Sequence, residues 1–273
     1  MTAVSENYKT IEYNVSEGIA TIRLNRPKSY NSFTDEMHED MRLVIKLIKN
    51  QVRQNKVRCL VITGNGRGFC TGQDLNERYE LVKVGNTNLG RSLNKNYNPL
   101  ITNISTLPIP VVCSVNGVVA GAGIGLALAC DIVIAAQSAS FIFAFAKVGL
   151  VPDSGCSWSL VHALGLPRAK ALSLLGDTLT AKDAAKFGLI MQCVEDSQLN
   201  NKVKEIVQRL MAKPTQGLAL TKRALDHAVN HNLQEQLSHE SQLQTIAGRS
   251  DDYAEAVCAF VEKRPVVFSV KAE

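Results

Sequence analysis

The chain has 273 residues, of which 45% are hydrophobic and 20% charged, and its formal net charge is +5. These values are ordinary for a soluble globular protein and allow one large domain, or one domain with an appendage. The charge is dispersed along the chain rather than clustered, which argues against a nucleic-acid partner. No apolar window approaches the roughly 18 residues needed to cross a bilayer, so no membrane span is expected.

Cysteine usage and the N-terminal segment indicate the compartment. The seven cysteines are scattered and never spaced as C-x-x-C, a pattern that favours reduced thiols over disulfides or a zinc site. The first residues lack a basic stretch followed by an apolar one, so no secretory signal is expected. We therefore predict a cytoplasmic protein without a bound metal.

Apolar runs predict the elements of the N-terminal half in chain order. Residues 9–15 and 19–25 are expected to form two strands joined by a tight turn. Residues 58–64 resemble a buried strand that closes in a glycine-rich turn, and the polar segment 76–98 is expected to begin helical and to carry a mobile loop. Between the second and third strands a helix is predicted, because five apolar residues fall on one of its faces: Met37, Met41, Ile45, Ile48 and Val52.

The second half changes from strands to helices. Residues 111–117 and 132–136 are expected to be buried strands, and a helix of small residues is expected between them over 120–131. A capped helix is predicted from Thr180 to Gly188, and residues 189–194 form the last predicted strand. Only amphipathic helices follow. This order predicts an α/β core followed by a helical C-terminal segment.

Two glycine turns are candidate binding elements. Gly68 and Gly72 bracket one turn after a buried strand, and Gly121 and Gly123 open the small-residue helix. Because glycines leave backbone N–H groups uncovered, two such turns that face each other would aim two donors at one oxygen and stabilise an oxyanion. Neither turn matches a nucleotide-binding motif. From the pattern alone, an ordinary turn or a close helix contact remains the more common explanation.

Asp153 poses a second question, because it follows Pro152 at the end of an apolar run over 143–151. One interpretation is structural: Asp is a favoured N-cap, and residues 153–164 resemble a helix. The other is catalytic, with the carboxylate kept in an apolar cavity to move protons. The pattern alone favours capping.

Four segments taken together resemble a known family. Residues 24–37, 68–75, 109–136 and 146–158 resemble, in this order and over essentially the whole chain, the crotonase superfamily with the enoyl-CoA hydratase/isomerase fold. The resemblance implies a crotonase-like spiral of ββα units over residues 1–200. It also implies a C-terminal helical segment, 201–273, that closes the site and packs subunits into a trimer or a hexamer. The substrate would be a coenzyme A thioester, with no separate cofactor.

The resemblance also implies roles for individual residues. The oxyanion donors would be the backbone N–H groups of Thr71 and Ala122, with Asn116 bracing the second donor turn. Lys28 would approach the coenzyme A phosphates. The remaining substrate or coenzyme A positions would be Gln73, Asp74, Leu75, Gly121 and Phe145.

The catalytic acids depart from the hydratase pattern. The two places of the hydratase glutamates are occupied by Gly125 and Phe145, neither of which can accept a proton. Asp153 is then the acid left for proton transfer, and the apolar walls formed by Phe143, Phe145 and Val148 are expected to raise its pKa.

The expected activity is therefore that of an acyl-CoA isomerase. Within the superfamily, the chain most resembles the isomerases of phenylacetate degradation, which convert ring-1,2-epoxyphenylacetyl-CoA to oxepin-CoA. The segments that carry this closer resemblance are 68–78, 97–100, 175–181 and 247–264. The alternatives are a Δ3,Δ2-enoyl-CoA or dienoyl-CoA isomerase, then a hydratase, then a non-catalytic or RNA-associated subunit. A complex with a partner enoyl-CoA hydratase stays open. Three other candidates are interpreted as structural: Cys70 as a buried thiol, and His227 and His231 as solvated surface residues.

Overall fold

The computed structural model describes residues 4–85 and 88–268. Two residues of the predicted mobile loop and the outer ends of both predicted domains lie outside this part of the chain. The strands are β1 (Val4–Asn7), β2 (Ile11–Ser16), β3 (Ile19–Leu24), β4 (Cys59–Gly64), β5 (Gly68–Cys70), β6 (Val111–Val115), β7 (Val118–Ala120), β8 (Ile132–Ala136), β9 (Ser140–Ile142), β10 (Thr178–Thr180) and β11 (Gln192–Val194). The helices are α1 (Asp35–Arg53), α2 (Leu75–Lys83), α3 (Leu89–Ser92), α4 (Asn98–Ser105), α5 (Ala122–Leu128), α6 (Cys156–Leu164), α7 (Leu166–Leu175), α8 (Ala181–Lys186), α9 (Leu199–Met211), α10 (Thr215–Ala228), α11 (Leu233–Ala247) and α12 (Asp251–Glu262).

The strands form two sheets. A seven-stranded sheet has the order β1-β2-β3-β4-β6-β8-β11, parallel from β3 onward, and a four-stranded sheet has the order β10-β9-β7-β5. Successive pairs β4/β5, β6/β7 and β8/β9 each place their first strand in the large sheet and their second in the small one, before the chain turns into helix. This repeat is the predicted spiral of ββα units, so the predicted α/β fold class is confirmed.

The long helix α1 shows how the pattern produces the packing. Thr34 caps it by accepting a hydrogen bond from the Met37 N–H at 3.2 Å, and the helix dipole favours the acidic residues that follow. Of the predicted apolar face, Met37, Met41, Ile45 and Ile48 are buried in the main core. Each such side chain contributes about 1.5–3 kcal/mol through its burial.

The C-terminal helices differ in how they meet the core. Helix α9 buries Leu199, Val203 and Ile206 against the large sheet, and it spans the predicted boundary between residues 200 and 201, a division that stays a prediction. Helix α12 instead leaves Phe260 85% exposed. Among residues 4–85 and 88–268, no helix combines the length and apolarity that a bilayer crossing requires.

Lys222 joins α10 to the loop before β8 through an ion pair. Its ammonium lies 2.8 Å and 2.9 Å from the two oxygens of Asp131, and the carboxylate also accepts the Val111 N–H at 2.7 Å. Burial raises the pKa of Asp131, and Lys222 opposes that effect. The ion pair therefore offsets the cost of partly removing the Asp131 carboxylate from water.

We expect Lys222→Met to lower the free energy of unfolding by about 1–2 kcal/mol at pH 7, because it leaves the partly buried Asp131 charge without its cationic partner. Without its partner, Asp131 has a raised folded-state pKa, so the deficit shrinks as the pH falls and the carboxylate is protonated. Urea unfolding at several pH values measures both effects. The exposed Lys204→Met is the control, and equal stability of the two variants would contradict the prediction.

Candidate active site

The two predicted donor turns lie side by side. Helix α5 begins at Ala122 after Gly121, whose φ of +52° favours glycine. A Cβ added at Gly72 would lie 3.1 Å from the Ala122 nitrogen and 3.0 Å from the Ala120 carbonyl oxygen. A side chain at Gly72 would press on the second turn, and Gly121 has a φ that side chains rarely adopt, so glycine at both positions lets the two turns lie in contact.

The first donor already has an acceptor in the structure. The Thr71 N–H donates to the Tyr30 carbonyl at 3.2 Å, and the Thr71 hydroxyl lies 3.4 Å from the same oxygen. Tyr30 and the next residue, Asn31, have φ values of +48° and +57°, a conformation that non-glycine residues adopt at a cost. A thioester oxygen that uses this donor must share or replace a long hydrogen bond.

Asp74, predicted as a substrate or coenzyme A position, fixes the first donor turn through its side chain. Its buried carboxylate accepts from the Arg26 guanidinium at 2.8 Å, the Ser32 hydroxyl at 3.0 Å and the Asn76 N–H at 3.0 Å, which caps α2. Burial alone would raise the pKa of Asp74, but these hydrogen bonds outweigh it and hold the pKa below its usual range. Asp74 is therefore ionised at neutral pH and stabilises the turn.

Asn116 braces the first turn rather than the second, which corrects the sequence prediction. Its side-chain oxygen accepts the Gly64 N–H at 3.0 Å, and its amide donates to the Gly66 carbonyl at 2.9 Å. Asn31 reaches the same segment by donating to the Gly68 carbonyl at 2.8 Å. Two buried or half-buried amides therefore fix the loop that leads into the first donor.

The predicted coenzyme A positions surround the first turn. Lys28 is exposed on the 3-10 turn Pro27–Ser29, and Leu75 is exposed as the first residue of α2. The Gln73 side chain points back into the protein, where its amide donates to the Phe33 carbonyl at 3.2 Å. The structure thus places Lys28 and Leu75 where a ligand can reach them.

Asp153 does not cap a helix. Helix α6 begins only at Cys156, after Gly155, and no side chain caps it. The Asp153 carboxylate instead accepts the Ser154 hydroxyl at 3.0 Å and is half-buried. Burial raises its pKa, and the Ser154 hydrogen bond partly opposes that shift.

The apolar run before Asp153 is only partly a wall. Phe143 and Phe145 are buried, as expected, but Val148 is 58% exposed and corrects the prediction that it helps to enclose the acid. The 3-10 turn Ala144–Val148 carries its last residues out to the surface. Of the three predicted wall residues, only the two phenylalanines are buried.

The turn that carries Asp153 lies against α5. A Cβ added at Gly125 would lie 2.3 Å from the Ser154 carbonyl oxygen and 2.8 Å from the Ser154 Cβ. Real Cβ contacts are never this short, so no side chain fits at residue 125 in this arrangement. The backbone that follows Asp153 fills the space into which a side chain at 125 would project.

Comparisons with known proteins agree with this geometry. The sequence model of the family described as enoyl-CoA hydratase/isomerase matches residues 14–271. The chain belongs to this family. It is 46% identical to the 1,2-epoxyphenylacetyl-CoA isomerase of Escherichia coli strain K12, over 94% of this chain and 97% of that protein. It is 30% identical to the short-chain-enoyl-CoA hydratase of Clostridium acetobutylicum, over 91% and 93% of the two chains.

A solved structure extends the agreement to the fold. The crystal structure of an enoyl-CoA hydratase/isomerase from Cupriavidus metallidurans CH34 matches with a TM-score of 0.88 and 30% identity, over 96% of each chain. Isomerases and hydratases both occur among these relatives, so family membership establishes the fold and an enzyme of this family but not which of the two reactions it catalyses. The reaction must be argued from the acids of this chain.

Gly125 and Phe145 help to distinguish hydratases from isomerases within the enoyl-CoA hydratase/isomerase family. They occupy the places that the resemblance assigns to the hydratase glutamates. Phe145 is buried, and the contact between Gly125 and Ser154 leaves no room for a longer residue. These two positions therefore supply no carboxylate.

Tyr97 is a site residue to which the sequence reasoning gave no role. It ends the π-helical turn Leu93–Tyr97, a rare conformation that is often found near functional sites, and its hydroxyl donates to the Gln73 side-chain oxygen. Burial raises the pKa of the Tyr97 phenol, and the nearby Cys70 and Asp153 raise it further. The only sequence signal was its position before Asn98-Pro99, which gives no indication of these contacts.

The remaining candidates keep their structural interpretation. Burial raises the pKa of the Cys70 thiol to about 12, so it is no nucleophile at neutral pH. The rings of His227 and His231 stack 3.6 Å apart at the exposed end of α10. Throughout residues 4–85 and 88–268, no group of three His, Cys, Asp or Glu side chains could bind a metal ion.

Proposed function

We propose that this enzyme is an acyl-CoA isomerase that converts ring-1,2-epoxyphenylacetyl-CoA to oxepin-CoA. The observation that carries the proposal is the contact of Gly125 with Ser154, because it replaces a hydratase glutamate by the backbone that presents Asp153. The 46% identity to the Escherichia coli enzyme of this name supports the same substrate. The proposal rests on one acid beside two backbone donors.

The donors would act on the thioester carbonyl. As a proton leaves the adjacent carbon, negative charge develops on the carbonyl oxygen, and the N–H groups of Thr71 and Ala122 stabilise it. One such donor typically contributes roughly 3–4 kcal/mol to lowering the barrier. Because both donors belong to the main chain, the Thr71 and Ala122 side chains are not required for this chemistry.

Asp153 would move the proton. Its carboxylate takes a proton from the carbon next to the thioester and returns it to a ring carbon as the fused three-membered ring opens into the seven-membered one. Substrate and product are isomers, so water and a separate cofactor are not consumed. Its raised pKa brings the carboxyl closer to the operating pH, which is what a group that both accepts and returns a proton requires.

The proposal extends to assembly and location. Exposed apolar side chains on the C-terminal helices support a homotrimer or hexamer, among them Leu225, Leu233, Phe260 and Val261. Free cysteines throughout the described part of the chain support a reducing, cytoplasmic compartment. We also propose a complex with a partner enoyl-CoA hydratase, which would consume or supply a related thioester.

A substrate panel tests the proposed reaction. Purified enzyme is offered epoxyphenylacetyl-CoA, 3-enoyl-CoA, 3,5-dienoyl-CoA and 2-enoyl-CoA, and kcat/KM is measured for each. We expect the epoxide to give the highest value and hydration of the 2-enoyl ester to be at least about 100-fold slower, because general acid–base catalysis by a second carboxylate is missing. A double-bond isomerase would instead favour the 3-enoyl ester by the same one-acid route. Hydration at a rival rate would refute the proposal.

A further inference from the structure

Ser154 adopts an unfavourable conformation beside the proposed acid. Its φ is +51°, although it is not glycine, and Gly155 follows with +77°. Glycine adopts this region freely, but Ser154 does so at a cost in free energy that the surrounding contacts must offset. Ser154 is also only 3% exposed, so its hydroxyl is shielded from water and depends on protein atoms for its hydrogen bonds.

Those contacts join the acid to the donor helix. On one side, the Ser154 carbonyl and Cβ lie directly over Gly125, three residues after the donor Ala122 in α5. On the other side, the Ser154 hydroxyl donates to Oδ1 of Asp153 at 3.0 Å. One residue therefore connects the carboxylate to the element that carries the second donor.

The hydrogen bond also distinguishes the two carboxylate oxygens. Oδ1 of Asp153 is occupied by Ser154, whereas no hydrogen bond within residues 8–85 and 88–268 reaches Oδ2. We infer that Ser154 is a positioning residue that binds Oδ1 and leaves Oδ2 to exchange the proton, and that Gly125 is the specificity-determining position that makes room for it. This inference rests on the proposed function, because it assumes that Asp153 moves the proton.

The test compares Ser154→Ala and Ser154→Gly with the unmodified enzyme. The substrate is epoxyphenylacetyl-CoA, and the unreactive phenylacetyl-CoA reports binding. Because a hydrogen bond to a charged group is lost, we expect kcat to fall roughly 10- to 100-fold while the Kd for phenylacetyl-CoA changes less than about threefold. The glycine variant relieves the φ strain, so an equal loss in both variants assigns the effect to the hydroxyl.

The pH profile separates positioning from simple support of the fold. The Ser154 hydroxyl opposes the upward shift that burial causes in the pKa of Asp153, so its removal raises that pKa further. The carboxylate form accepts the proton, and the acidic limb of kcat/KM should therefore move to higher pH in both variants. If the Ser154 variants lost activity while the acidic limb of kcat/KM stayed at the same pH, the inference would be overturned. An unchanged kcat in these variants would also overturn it.

Gly125→Ala tests the same contact from the other side. Its Cβ, 2.3 Å from the Ser154 carbonyl, must push the Asp153 turn away. We expect kcat to fall about 100-fold, as for a misplacement of about 1 Å, with phenylacetyl-CoA still bound. Gly90→Ala, whose Cβ meets only Asn88 at 3.6 Å, is the matched control. If Asp153→Asn is inactive but these variants behave normally, only the role of Ser154 and Gly125 fails. An active Asp153→Asn refutes the proposed function itself.

Discussion

Replacing Asp153 by Asn is expected to lower kcat by about 1,000-fold or more while leaving the binding of acyl-CoA nearly unchanged. The amide keeps the size of the carboxyl but cannot accept a proton, and general acid–base catalysis typically contributes roughly 100- to 10,000-fold. Binding is retained because the thioester oxygen meets backbone N–H groups, which the substitution does not touch. Single-turnover rates with epoxyphenylacetyl-CoA and the Kd of phenylacetyl-CoA measure the two effects separately.

Stability supplies an internal control for this variant. Burial raises the folded-state pKa of Asp153, so the ionised carboxylate lowers stability once the pH rises above the unfolded-state pKa. Asn removes that charge, and we expect a Tm at pH 7 that is equal to or a few degrees above that of the unmodified protein. The exposed Asp177→Asn serves as the charge-matched control. A variant that is stable but keeps most of its turnover would show that Asp153 is not the proton carrier.

Much of the fold could be predicted because long apolar runs form its central strands. Strands β4, β6 and β8 lie inside predicted segments, and α1 contains the whole predicted apolar face from Met37 to Val52. The three-residue strands β5, β7, β9 and β10 were not predicted, since three residues show no period and their pairing partners lie far away in sequence. Their sheet is decided by tertiary contacts.

The site shows the same division between local pattern and distant contact. The glycines beside Thr71 and Ala122 could be recognised from the sequence, because only glycine tolerates such close approach. The misassigned start of α6 arose because Pro152-Asp153 fits an N-cap pattern, whereas the contact of Ser154 with Gly125 forces a left-handed turn first. The contacts of Asn116 could not be anticipated, because they cross about 50 residues of sequence.

The spacing of the two donors depends on one further close contact. Gly123 follows the donor Ala122, and Cys70 precedes the donor Thr71. A Cβ added at Gly123 would lie 2.2 Å from the Cys70 carbonyl oxygen and 2.9 Å from its carbonyl carbon. These are backbone atoms that cannot rotate away, so any side chain at residue 123 must separate α5 from β5. In the proposed mechanism, the two N–H groups would then no longer reach the same thioester oxygen.

We therefore expect Gly123→Ala to lower kcat/KM by about 100- to 1,000-fold, the loss typical of one oxyanion donor, and to destabilise the fold by about 1–3 kcal/mol through overpacking. Unlike Gly125→Ala, it should also weaken the binding of phenylacetyl-CoA, because the donors themselves move. Steady-state kinetics, thioester binding and urea unfolding measure the three effects, again with Gly90→Ala as control. A variant with nearly normal kcat/KM would show that the Gly123–Cys70 contact does not set the geometry of the donors. If Gly123→Ala behaves as expected, the double variant Gly123→Ala/Asp153→Asn should have a kcat only slightly below that of Asp153→Asn alone. The donors and the acid act on the same transition state, so their effects on kcat are not additive.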